Sequence, residues 1–331
     1  SVSSVTYNGN RSYDVTFGSS VASYLTPGMR LRTTRTVAAP TTVFSLDGTN
    51  DYYNKTSPAG MTFTDDFVVS AWVRLSSYAL GTIASRYNGT SGWALQVLAT
   101  GQIQLGGYNG GVANNSIVTS YQSIPLNKWV HITAQLDMSS FTATTTTSYV
   151  MLDGVDVPAS VSRGGTNPTA LVQAGNLEIG SANAGSFFAG YITDVMIFNA
   201  KVTQATMRGY MSQKPSGSET SLISAYSNGS TTDLNTGNAN NLTAQNGATT
   251  STSYAPYAVD SNGTPGGTYD YAIVTKVATT VATVQVPEGC AIPTSGGVSA
   301  VDLSSVKVPY GFPAQRGRWA IQTLLKANIS L

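Results

Sequence analysis

Short apolar alternations, each closed by a turn, fill residues 44–211 and leave room for little besides a two-sheet β-sandwich. In Phe67-Val68-Val69-Ser70-Ala71-Trp72-Val73-Arg74-Leu75 the odd positions are Phe, Val, Ala, Val and Leu, and the even ones Val, Ser, Trp and Arg. That period of two describes a strand with one fully buried face. Val130, Ile132, Ala134 and Leu136 alternate with His131, Thr133 and Gln135 in the same way, and Trp129 at the head of the run is expected to anchor the sandwich core. Asp153-Gly154, between Tyr149-Val150-Met151-Leu152 and Val155-Asp156-Val157, is the dipeptide of a type I′ hairpin, whose two turn residues both need positive φ. One helix is expected over 199–211, with Thr203 as its N-cap.

The surface is uncharged. Only 10% of the 331 residues are charged and the net charge is +1, with Thr, Ser, Asn and Gly supplying polarity. Such a chain has no field to steer nucleic acid or anionic lipid, so a nucleic-acid partner is not expected. The single cysteine, Cys290, excludes an internal disulfide framework and reads as a small packed residue. No apolar run approaches the roughly 20 residues of a membrane span. The first residues, Ser-Val-Ser-Ser-Val, lack the pattern of a signal peptide. Work outside a cell is therefore expected to depend on another route of release, such as lysis of a host by a virus.

Four segments are expected. Residues 1–43 carry their own alternation (Tyr13, Val15, Phe17) and a Thr26-Pro27-Gly28 turn, as an N-terminal β arm or small β unit. The sandwich occupies 44–213. Residues 214–258 form a linker and a strand, Leu222-Ile223-Ser224-Ala225-Tyr226, that belongs either to a truncated second copy or to the first sandwich on its return. A small β domain is expected over 259–331, opened by the Gly263-to-Gly267 break, with a hairpin over 271–286, a turn at Pro293-Thr294-Ser295-Gly296-Gly297 and one further strand over 298–308. Residues 319–325 stay open between strand and helix.

Catalytic constellations can be tested by counting. Glu occurs only at 178, 219 and 288 and His only at 131. Glycoside hydrolysis needs two carboxylates flanking the bond, and no Glu pair has suitable spacing. Asp65 and Asp66 are adjacent, so on a strand they face opposite sides; they read as the turn that launches the strand at Phe67. His131 reads as a structural histidine on a sheet surface, because no nucleophile turn accompanies it. The remaining functional signal is aromatic. Tyr87-Asn88-Gly89 with Trp93, and Tyr108-Asn109-Gly110 with Asn114-Asn115, combine flat apolar faces with amides, the chemistry that stacks on sugar C–H faces and bonds their hydroxyls. The competing reading makes Trp93 a core residue and the tyrosines ordinary strand-edge side chains.

The landmarks Phe44-Ser45-Leu46-Asp47-Gly48, Phe67 to Val73, Lys128-Trp129-Val130-His131-Ile132, Val150-Met151-Leu152-Asp153-Gly154, Leu177-Glu178-Ile179-Gly180 and Phe188-Ala189-Gly190-Tyr191-Ile192-Thr193-Asp194-Val195 recur in the order of laminin-G-like, concanavalin A-like jelly rolls, which this chain resembles. The resemblance implies an all-β fold used for binding or structure, to which the flanking alternations add small β-rich segments at both ends. It also raises calcium, held at the sandwich rim in relatives; Asp47, Asp51 and Asp194 stand at the motif positions, although Val195 replaces a second carboxylate there. Turn duties compete for the same aspartates.

The flanks, Ser23-Tyr24-Leu25-Thr26-Pro27-Gly28-Met29-Arg30-Leu31-Arg32 leading through Pro40, and Val308-Pro309-Tyr310-Gly311-Phe312-Pro313, resemble virion proteins of tailed bacteriophages. That resemblance implies a non-enzymatic tail, fibre or capsid decoration protein located in the virion. Its implied partners are other virion proteins, further copies of itself, a trimer included, and host surface polysaccharide. A carbohydrate-binding or adhesion module of a cell-surface or secreted protein is the alternative, and a polysaccharide hydrolase the third and weakest reading.

Overall fold

The computed structural model describes residues 2–9, 12–20, 22, 25, 27, 30–34, 42–110, 115–138, 147–164, 171, 175–211, 214–252, 272–285 and 300–307. Asn114, Cys290, the Gly263-to-Gly267 break, the Pro293-to-Gly297 turn and the 308–313 and 319–325 runs lie outside the described residues.

The first three strands are β1 (Val2–Gly9), β2 (Ser12–Phe17) and β3 (Arg30–Thr34). Then follow β4 (Thr42–Asp47), β5 (Tyr52–Lys55), β6 (Phe67–Leu75), β7 (Gly81–Tyr87), β8 (Gly92–Val97), β9 (Gln102–Tyr108), β10 (Asn115–Ser123), β11 (Trp129–Leu136), β12 (Tyr149–Leu152), β13 (Val155–Val157), β14 (Ala159–Gly164), β15 (Leu177–Ile179) and β16 (Ala189–Phe198). The helix α1 (Gln204–Met211) precedes β17 (Leu222–Tyr226), β18 (Thr243–Gln245), β19 (Thr249–Thr252), β20 (Ala272–Val277), β21 (Val281–Gln285) and β22 (Ala300–Lys307). Thr203 caps the helix, its Oγ1 accepting from Thr206 N at 3.1 Å.

Two units result. In one, the terminal segments share a single sheet, ordered β1-β2-β21-β20-β3-β22, with Tyr13, Val15, Phe17, Val274, Ala282 and Val284 buried. The expected β20–β21 hairpin is present, and β2 pairs with β21 across more than 250 residues of chain. The other unit is the expected sandwich. Sheet I runs β13-β12-β11-β6-β16-β4-β19, with β17 also paired to β16, and sheet II runs β14-β10-β9-β8-β7-β15-β5-β18. All their pairings are antiparallel.

The core between the sheets takes Phe67, Val69, Ala71, Val73 and Leu75 from β6 and Val130, Ile132, Ala134 and Leu136 from β11. Phe63, Phe67 and Trp93 stack at one end, with centroids 4.7 to 6.1 Å apart. Asp153 and Gly154 take φ of 49° and 74° at the expected hairpin, and Asp153 Oδ1 also accepts His131 N at 2.9 Å. Asp66 accepts Met138 N at 2.8 Å and pairs with Lys201 at 2.9 Å, so it ties the start of β6 to later chain.

Two expectations about β11 need correction. Trp129 is buried, 2% exposed, yet it stands outside the inter-sheet core: Val130 faces in, and a period of two turns Trp129 the other way. His131, expected on a sheet surface, shares that other face at 3% exposure, edge-on to Trp72 with centroids 5.1 Å apart. Trp72, Ser70, Thr133, Thr193 and Met196 are buried there too, so the middle of sheet I has no open face. Part of the cover is the chain entering α1, since Tyr149 Oη donates to Val202 O at 2.9 Å and Gln204 Nε2 to Asp156 Oδ2 at 2.9 Å.

Residues 222–252 finish both sheets: β17 and β19 extend sheet I and β18 extends sheet II. Asp233 holds this return. Its Oδ1 accepts Ala225 N and Asn235 N at 3.0 Å, and its Oδ2 accepts Ser224 Oγ at 2.9 Å and Asn240 N at 3.0 Å. Asn240 in turn brackets Ala59, accepting its N–H at 2.7 Å and donating to its carbonyl at 3.0 Å.

Truncating Trp129 to Ala should cost about 3–5 kcal/mol, read as the shift in urea midpoint; a neutral shift would contradict its burial. Burial also lowers the His131 pKa from 6.5 to about 3. The unfolded chain binds that proton near pH 6.5 and the folded chain only near pH 3, so acidification between them progressively destabilises the fold. Thermal melts should therefore fall from pH 7 toward pH 3, and the slope should flatten in His131→Asn.

Candidate functional site

Sheet II keeps one face in the core and presents the other outward. Trp93, Leu95 and Val97 on β8, Ile103 and Leu105 on β9, and Val118 on β10 face in. Their alternates lie on the other face, Gln96, Gln102, Gln104, Tyr108, Asn115, Ile117 and Thr119 half-buried and Ala94 and Gly106 buried. This outer face is built from neutral pairs. Gln96 Nε2 donates to Thr82 Oγ1, Gln104 Nε2 to Thr119 Oγ1 and Gln245 Nε2 to Asn54 Oδ1, each at 3.1 Å. Cross-strand pairs of this kind contribute about 0.2–1 kcal/mol each. The loop-centred sequence reading passed over them, although the polar half of Trp93-Ala94-Leu95-Gln96 and Gln102-Ile103-Gln104-Leu105 carries the signal.

At one end of this face the structure unites two of the predicted loops. Gly92 pairs with Tyr108 in register, the Tyr87 and Tyr108 rings meet with centroids 5.3 Å apart, and Gly110 N donates to Ser91 Oγ at 2.9 Å. Tyr108 lies back over Gly106, where a Cβ would fall 2.4 Å from its hydroxyl, so any larger residue there would displace the Tyr108 ring. Burial, and then the neighbouring Tyr87, raise the Tyr108 pKa, which keeps it a neutral donor. Asn88 Oδ1 shapes its own loop, accepting Thr90 N at 3.0 Å and Ser91 N at 2.8 Å. Asn109 is half-buried beside Tyr108. Trp93 is fully buried in the core and takes no part.

A loop missed from sequence walls this face. After β15, residues 181–187 fold across β7: Ser85 Oγ donates to Ser181 O at 2.8 Å and Thr82 N to Ser186 O at 2.8 Å. Asn183, Ala184 and Ser186 hold φ of 51°, 50° and 50°, conformations that persist only where surroundings impose them. The buried Glu178 holds the loop from beneath, its Oε2 accepting the Ser181 hydroxyl and, at 3.1 Å, Ala184 N.

The three aspartates raised for calcium do not share one place. Asp47 ends β4 and turns the chain, Oδ1 accepting Thr49 N at 2.7 Å and Asn50 N at 3.3 Å, and the Thr49 bond leads in lowering its pKa. Asp51 is near it, its pKa raised by burial and then by the Asp47 charge. Asp47 pairs with Ala189, however, while Asp194 is five residues further along β16 at a bulge with φ of 50°. Among the described residues no group of three or more His, Cys, Asp or Glu side chains gathers to hold a metal.

Residues 47–208 match the family model described as the concanavalin A-like lectin/glucanases superfamily. The sandwich is a concanavalin A-like, laminin-G-like jelly roll. Among solved structures the chain is similar to a Bacteroides ovatus protein provisionally described as carbohydrate binding, with 17% identity, a TM-score of 0.47, and 64% of this chain and 60% of that one covered. It thus spans less than two thirds of that protein. It is also similar to the heptameric SAP-like pentraxin of Limulus polyphemus (14%, 0.43, 65% and 97%) and to domains LG4-5 of the mouse laminin alpha1 chain (13%, 0.36, 49% and 42%). No curated protein matches the jelly-roll chain. Among the described residues no helix is long and apolar enough to cross a membrane.

Replacing Glu178 by Ala leaves the Ser181 hydroxyl and Ala184 N–H without their acceptor, at a cost of about 1–3 kcal/mol. Amide exchange over 181–187 should quicken selectively; unchanged exchange would show that the jelly roll holds its wall by other contacts.

Proposed function

We propose that the jelly roll is a non-catalytic carbohydrate-binding module that takes a neutral glycan on the outer face of sheet II. The observation that carries this reading is the Tyr87–Tyr108 ring pair at the end of a floor of uncharged amides and hydroxyls. Sugars offer C–H faces to such rings and hydroxyls to such side chains. The lectin half of the family description points the same way. The glucanase half finds no support in the described glutamates, which serve as local caps: Glu178 holds residues 181–187, and Glu219 accepts Ser216 N and Gly217 N at 2.7 and 2.9 Å.

The setting in which the module works is a second proposal. A bacteriophage virion, as tail, fibre or decoration protein among other virion proteins and further copies of itself, rests on the resemblance of the flanks. The co-folding of both terminal segments into one sheet, a unit apart from the sandwich, favours it as an anchoring element. A cell-surface or secreted adhesion module would use the same glycan face. Mass spectrometry of purified virions separates the two settings, since absence of the chain removes the first.

Labelled protein should bind neutral polysaccharide saturably, and Tyr108→Ala should weaken binding roughly tenfold. Binding should survive chelation; its loss on chelation would assign a metal role to Asp47 and Asp51. Unchanged binding in Tyr108→Ala would overturn the location.

A further inference from the structure

The most exposed large apolar side chains among the described residues are Tyr121 at 65%, Tyr78 at 47% and Leu80 at 46%. They gather at the end of sheet II opposite Tyr87 and Tyr108. Tyr78 and Leu80 lie just before β7, and Tyr121 lies near the end of β10, where the pairing with β9 shifts register between Thr119 and Ser123 and residues 121–123 are all exposed. The Tyr78 ring rests where a Cβ on Gly101 would come within 2.7 Å of it, and its phenol donates to Ile124 O at 3.0 Å. A ring exposed and yet fixed loses little freedom on binding. The segments Ser76-Ser77-Tyr78-Ala79-Leu80, Leu98-Ala99-Thr100-Gly101-Gln102 and Ser120-Tyr121-Gln122-Ser123-Ile124 hold no charged residue.

Strand β9 joins the two ends. From Gln102 to Tyr108 it spans about 20 Å, and between them run the outward amides Gln102 and Gln104. We infer that Tyr78 and Tyr121 form a second stacking station for the same ligand, so that the jelly roll reads an extended neutral polysaccharide along β9 and β10 rather than a terminal sugar. This rests on the glycan reading proposed above. The continuity of one neutral face between two aromatic ends favours a glycan over a protein as occupant.

The test is affinity electrophoresis through soluble glucan, mannan, galactan and xylan, with titration of the matching disaccharide and hexasaccharide, on wild type, Tyr108→Ala and Tyr121→Ala. Tyr121 is mostly exposed, so its removal should spare the fold, checked by an unchanged melt. Tyr121→Ala should weaken polymer and hexasaccharide binding roughly tenfold and leave the disaccharide unaffected, whereas Tyr108→Ala should weaken all three. Wild-type polymer affinity in Tyr121→Ala would overturn the second station and leave the glycan reading intact. Should wild type be retarded by none of the four polymers, both readings fall. If Tyr121→Ala instead weakens only self-association in sedimentation, the patch is a protein contact and the inference is wrong.

Discussion

Sheet I is buried on both of its faces through β6, β11 and β16, and the use of the rest of the molecule follows from that. The inner side chains Phe67, Val69, Val130 and Ile132 fill the space between the sheets, while Trp72, Trp129, His131 and Met196 are withdrawn from solvent on the other side. A strand of this kind reads as nearly continuous apolar sequence. It has no face left for a ligand. Within the sandwich, the outer face of sheet II is left to meet one, and it is there that neutral amides replace apolar residues.

The sandwich closes by long-range pairing. β18 and β19 arrive about 200 residues after their partners in β5 and β4, and they cover edges that would otherwise expose unpaired backbone groups. Short strands of Thr, Ala, Gln and Ser have little apolar surface to hold them there, so polar bonds supply the grip. Asp233 receives four donors and Asn240 clamps Ala59, a carboxylate and an amide each satisfied inside the protein. Removing either would leave several partners orphaned at once.

Much of the fold was legible in the sequence because its strongest signals are local. Period-two alternation marks β6 and β11, Asp153-Gly154 marks a turn whose φ values are indeed positive, and Thr203 marks a helix start. Partner choice was not legible: the terminal alternations around Tyr13 and Val284 look like separate small units until β2 and β21 are seen side by side. Trp129 and His131 were misread for a related reason, since alternation tells which residues share a face but not whether the second face is also covered. At the candidate site, Tyr87 and Tyr108 could be named from sequence, whereas the loop at 181–187 could not. Its shape depends on Glu178, a carboxylate whose partners lie three and six residues on and whose burial only the folded chain reveals.

An open sheet face constrains what kind of recognition is possible. It cannot enclose a ligand, and across β8, β9 and β10, where its outward side chains are neutral, it gains nothing from long-range attraction, so each contact is weak and little affected by salt. Affinity on such a surface grows by repeating the contact, either along one ligand or among several linked copies of the protein. Both routes are compatible with this chain: the two aromatic stations proposed above would serve the first, and a terminal sheet with exposed β1 side chains such as Thr6 and Asn8 would offer an edge for the second. Low charge then has a positive role. It would let neighbouring copies crowd together without repulsion, and it leaves hydroxyl and amide groups for the recognition proposed above, a surface chemistry that suits a repetitive, neutral ligand better than a small ionic one.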